Sequence, residues 1–155
     1  MSIFTTGKVY GNIRAAINAN LSVTRYTWTP IVWQAVINPA DGIITGTPGS
    51  SDFSVGETAG AGAAIFFATI NWNIVNAGYK SIRIVHVPSS GVTAGCALST
   101  GAGQQVLNYA IPIAMPTSGR TYRVEVYQDS DAVGTVTAID ANYGTVRLEI
   151  LFVKL

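Results

Sequence analysis

The sequence predicts an all-β fold: one antiparallel sandwich of jelly-roll type, eight to ten strands in two sheets, with a short N-terminal arm. Three observations point there. From residue 23 onward, β-branched and aromatic runs follow one another, broken at short intervals by clusters of Gly, Pro, Asn, Asp and Ser. Within the runs, side chains alternate at the period of a half-buried strand: Tyr122, Val124 and Val126 share one face, and Arg123, Glu125 and Tyr127 the other. Finally, 155 residues make one domain with one sizeable core.

Residues 1–21 read as the arm, because Gly7 and Gly11 interrupt it and Ile13, Ala16 and Ile17 have the spacing of a short helical turn. The sandwich occupies residues 22–155. Its expected strands cover residues 24–37, 53–57, 64–75, 79–87, 105–113, 121–128, 133–139 and 145–153. Turn chemistry separates them at Asn38, Pro39 and Gly42, at Asn76 and Gly78, at Pro88 and Gly91, at Ser118 and Gly119, and at Asn142 and Gly144. In the final strand Val146, Leu148, Ile150 and Phe152 oppose Arg147 and Glu149, and then Leu151 and Val153 make both faces apolar. Residues 42–62 read as a long loop with one short strand, and 91–103 as a second loop of small residues. Loops on a rigid sandwich are common binding surfaces.

Charged residues make up 11% of the chain, against roughly 25% in ordinary soluble proteins. Hydrophobic residues reach 48%, and the mean hydropathy is +0.34. A membrane-spanning helix needs about 20 apolar residues in a row, and the most apolar stretch, residues 59–70, is shorter and punctuated by glycine. The composition therefore predicts permanent assembly, since obligate interfaces resemble a core cut in half. A net charge of +1 without charge blocks gives no nucleic-acid footprint. A single cysteine, Cys96, excludes a disulfide framework within the chain and any multi-cysteine metal site. The start, Met1-Ser2-Ile3-Phe4, lacks the pattern of a signal peptide, so synthesis in a cytoplasm is expected.

No residue pattern predicts catalysis, and neither a cofactor nor a metal is expected. His86 shares the face of Ile82 and Ile84 and has no partner visible in the sequence, which suits a packed histidine better than a base. Cys96 lies among small residues with no nearby cation to activate it. Asp129 and Asp131 could offer carboxylates to calcium, but their spacing suits a hairpin turn better. Asp41, Asp52 and Glu57 are scattered through a loop and make no hydrolytic pair. Trp28, Trp33 and Trp72 fall within expected strands and read as core. The contact candidates are Tyr79, Tyr127 and Tyr143, which flank turns, together with Leu151, Phe152 and Leu155 in the last strand.

Several segments taken in order carry a resemblance: Thr27 to Trp33, Ala64 to Trp72, Ser81-Ile82-Arg83-Ile84, Tyr122 to Ser130 and Val146 to Ile150. From about residue 24 onward the chain resembles the C1q/TNF-like jelly roll of phage virion proteins. It departs from that pattern at Ala61-Gly62-Ala63-Ala64, where a Gly-aromatic step is usual. The resemblance implies a homotrimer on a virion surface, made in the host cytoplasm. The implied role is capsid decoration or a small spike docked on a major capsid or other virion protein. Its alternative is a fibre or spike head that binds a host glycan or receptor. No collagen-like or coiled-coil stalk precedes the domain, which favours decoration over a fibre.

Overall fold

Strands that alternate at period two must bury one face, and here those faces close on one another. The structure is a computed structural model that describes residues 9–38, 40, 42–56, 62–116, 118–140 and 144–154. It is β-structure almost throughout, with fifteen strands among the described residues. The chain opens with β1 (Val9–Ala16), β2 (Leu21–Thr24), β3 (Thr29–Pro30), β4 (Ala35–Ile37), β5 (Ile44–Gly46) and β6 (Asp52–Val55). The long strands β7 (Gly62–Ile74), β8 (Lys80–His86), β9 (Gly91–Ser99), β10 (Gly103–Met115) and β11 (Thr121–Gln128) follow. It ends with β12 (Val133–Val136), the ribbon of β13 (Ile139–Asp140) and β14 (Gly144–Thr145), and β15 (Arg147–Lys154).

One sheet has the order β2-β12-β7-β15-β1-β4, and the other β5-β6-β11-β8-β9. In the first, β10 lies along the whole length of β7, while β15 and β12 share its opposite edge. In the second, β3 and β6 share one edge of β11. The inward faces meet in a single core. Phe66 meets Tyr122 edge to face with centroids 6.1 Å apart, and Trp33 packs on Phe53 at the same spacing. Ile70, Trp72, Ile82, Val124, Leu148 and Ile150 fill the rest.

Three expectations are corrected. The residues read as an arm do not form one from Val9 onward: β1 pairs with both β15 and β4, and Ile13, Ala15 and Ile17 are buried. These three follow period two, and that pattern outweighed the helical spacing of Ile13, Ala16 and Ile17. Residues 1–8 lie outside the described residues. The strand expected over 24–37 is three short ones, because the chain breaks at Tyr26, whose φ of 60° no strand accommodates. Residues 91–99 form β9, not a loop. Their small side chains carry little β-propensity, and the ladder offered by the edge of β8 ordered them instead.

The inward set of the last strand was legible: Val146, Leu148, Ile150 and Phe152 all point into the core. Phe152 is consequently not a surface contact. It is 0% exposed, and a Cβ on neighbouring Gly62 would collide with its ring and with the Val153 carbonyl. Phe152→Ala is expected to cost about 3–5 kcal/mol of folding stability, measured by urea unfolding. Loss of association with unchanged stability would instead make Phe152 an interface residue.

Candidate functional site and contact surfaces

The outer faces of the two sheets differ. On the six-stranded sheet, Glu125 faces outward from β11 yet is buried, because two arginines cover it. Arg83, directly opposite on β8, places Nε 2.7 Å and Nη2 2.6 Å from Oε2. Arg123 donates from Nε to Oε1 at 2.8 Å. Trp28 lies over the Arg83 guanidinium at 4.2 Å and packs on Tyr127 at 5.1 Å between centroids. The chain thus covers this face with its own side chains. Trp28 is not a core residue within a strand, and Tyr127 is half-buried beneath it.

Among the described residues, the seven-stranded sheet has no such cover at its centre. Ile65, Leu151 and Val153 stand half-buried on its outer face, and Phe67 is 39% exposed. Phe67, Ala110, Tyr109 and Leu151 line an open groove of about 530 Å³, with Thr69, Asn108, Arg147 and Glu149 at its polar end. A second groove of about 490 Å³ on the far side of Arg147 and Glu149 is lined by Arg14, Ala16, Ala35 and Ile37. Arg14 and Glu149 approach to 3.9 Å but are both well exposed, so this pair contributes little.

At one end of the sandwich, three turns are stitched together. The Gln128 side chain, fully buried, donates to the carbonyls of Val23 (3.0 Å) and Asp131 (2.7 Å). Its Oε1 accepts from the N–H groups of Ser130 and Asp131, both at 2.9 Å. Asp129 accepts from Tyr79 N–H at 2.6 Å. Asp131 accepts from Val75 N–H (2.7 Å), Asn76 N–H (3.1 Å) and the Asn76 amide (2.6 Å). The Lys80 ammonium, buried beneath, donates to the carbonyls of Gly78 and Gly101. Asp129 and Asp131 therefore hold the two ends of the turn at residues 75–79, and their own segment crosses from β11 in one sheet to β12 in the other, so it is not the hairpin turn their spacing suggested.

This framework displays apolar side chains: Val75 is 82% exposed, Tyr26 64%, Val133 57% and Tyr79 56%. Arg25 lies over the Tyr26 ring at 4.6 Å and donates to the Asp129 carbonyl. Of the contact candidates, Tyr79 belongs to this end, Leu151 to the bare sheet face and Tyr127 to neither. Tyr143 and Leu155 lie outside the described residues. Tyr26 was missed because nothing in the sequence marks the break at residues 25–28.

His86 has partners that the sequence did not reveal. Its Nδ1 lies 2.8 Å from Ser89 Oγ, its Nε2 meets the Gly119 carbonyl, and its ring packs on Tyr122 at 5.2 Å. The backbone of Cys96 lies in β9, and its side chain is outside what is described. Among the described residues no three His, Cys, Asp or Glu side chains group as metal ligands. None of the helices there is long and apolar enough to cross a membrane.

No protein-family model matches the sequence, and no curated protein matches it. Solved structures do. The fold is similar to murine APRIL in a crystal structure at pH 8.5, at 12% identity and TM-score 0.57, over 96% of this chain and 100% of that one. It is similar to Eiger TNF from S. frugiperda at 10% identity and TM-score 0.57, over 94% of this chain and 90% of that one. These likenesses show the fold: the chain folds as a jelly roll similar to those TNF-like domains.

Burial alone would raise the Asp131 carboxyl. The N–H of Val75, the Asn76 amide and N–H, and the Lys80 charge together bring it below its ordinary 3.8. A lowered folded-state value means stability that is present in full above 3.8 and lost as pH falls through the folded value. Asp131→Asn should therefore melt below the parent near neutral pH, with the gap narrowing well below pH 3.8. A gap independent of pH would remove the carboxylate from this role.

Proposed function

We propose that this chain acts by assembly and docking, as a homotrimer on a virion surface, in a role that requires no turnover. The observation that carries this reading is the bare outer face of the seven-stranded sheet, centred on Phe67 and Leu151, in a chain with 11% charged residues. Apolar area removed from water contributes about 25 cal/mol per Å², and copies of the chain are the partners always present to cover it. Closed point-group symmetry then limits the assembly to a ring of defined size. The choice of three copies, the virion setting and docking on a capsid protein rest on the resemblance to phage C1q/TNF-like domains, and the TNF-like fold supports it.

A second reading, a receptor- or glycan-binding head, is favoured by the stitched end. Rigid loops that display Tyr26 and Tyr79 make a pre-organised contact surface. A glycan array probed with the intact assembly separates the two. Sugar selectivity lost on Tyr26→Ala and Tyr79→Ala supports the head, and binding to purified capsids without it supports decoration.

Light scattering coupled to size exclusion is expected to give three times the chain mass at every concentration. Phe67→Glu combined with Leu151→Glu should reduce it to one while leaving the β circular-dichroism spectrum intact. A parent that is monomeric, or a double variant that still assembles, overturns the proposed face.

A further inference from the structure

β8 carries the chain away from the tyrosine end: Lys80 lies beneath the stitched turns and His86 closes the strand, about 20 Å distant at strand rise. There the imidazole of His86 is held from two sides. A carbonyl oxygen only accepts, so the contact with Gly119 requires the proton on Nε2. In the neutral ring Nδ1 then carries the lone pair. Ser89 Oγ, 2.8 Å away, accepts from Gly91 N–H at 3.3 Å and donates its own hydrogen to Nδ1. Hydroxyl, base and a third group that fixes the tautomer of the base make up the arrangement of an activated nucleophile.

The hydroxyl is accessible. Ser89 is exposed in the turn between β8 and β9, beside a shallow cleft of about 290 Å³ walled by Val92, Thr93, Ala114, Pro116 and Tyr122. Those walls are small and mostly apolar, and none of the five carries a carboxylate or an ammonium group. The phenol ring of Tyr122 is buried against the imidazole, Arg83 lies three residues before His86 on β8, and Arg120 follows Gly119.

We propose that Ser89 is a primed nucleophile and that this cleft captures a short, uncharged acyl group from an ester. Ser89 Oγ bonds to the acyl carbon, and the serine proton passes to His86 Nδ1. The bond from the acyl carbon to the ester oxygen breaks, and that oxygen takes the proton from Nδ1. The products are O-acyl Ser89 and a free alcohol, with His86 neutral again. Ser89 is the hydroxyl proposed to react, so one acylation per chain is expected. The inference is independent of the assembly role, and its failure would leave that reading standing.

The test treats the purified full-length chain with p-nitrophenyl acetate and, separately, with a fluorophosphonate probe, followed by intact mass and peptide mapping. One adduct per chain is expected, on Ser89, and Ser89→Ala should abolish it while keeping the parent's melting temperature. His86→Gln should slow labelling about 100-fold. Mapping separates any background reaction at Cys96. An absent adduct, one spread equally over other side chains, or Ser89 labelling indifferent to His86→Gln overturns the proposal.

Discussion

The seven-stranded sheet cannot close until β15 lies between β1 and β7. That one insertion pairs Val9 with Val153 and Gly62 with Lys154, joining the start, the middle and the far end of the described chain. It also brings Phe152 over Gly62, a fit that only a residue without Cβ permits. Contacts so distant in sequence must close large loops before they stabilise anything, so folding is expected to be slow and all-or-none in this sheet. The core then rests on the inward face of β7, flanked by β15, meeting that of β11 across the sandwich, where Phe66 packs on Tyr122.

The two outer faces follow from how each sheet is finished. On one, the segment between β2 and β3 folds back, and Trp28 covers an Arg83–Glu125–Arg123 cluster whose charges satisfy one another. Removing one member would strand a buried charge, so the cluster fixes the path of that segment more than it adds net stability. On the other face, among the described residues, Phe67 and Leu151 line an open groove and Phe67 stays exposed. A protein this poor in charge is left with one covered side and one bare side, and the assembly proposed above begins from that asymmetry.

The ends of the sandwich are equally unlike. At one, side chains of Gln128, Asp129, Asp131 and Lys80 take up backbone groups that tight turns leave unpaired, and apolar side chains are pushed outward in consequence. At the other, the short turn after β8 brings a hydroxyl and an imidazole together above a small cleft. Both arrangements lie where loops from separate strands converge, the usual place for chemistry on a rigid β scaffold.

The sequence by itself determined the class of the fold and the inward face of its clearest strands. Tyr122, Val124 and Val126 and the set from Val146 to Phe152 were legible because period-two alternation is a local property of the chain. The same rule applied to Ile13, Ala15 and Ile17, but glycines and a competing helical spacing hid it until β15 and β4 supplied the neighbours that make β1 a strand. Only the tertiary structure decided that residues 91–99 pair along β8, that Trp28 caps an ion cluster, and that Tyr26 stands beside Tyr79. It alone joined His86 to Ser89 and Gly119. Ser89 is three residues from His86, yet only the turn's conformation aims its hydroxyl at the ring, and Gly119 arrives from another loop. Pairing partners and convergent loops are set by contacts between distant segments, and no local pattern of residues encodes those distances.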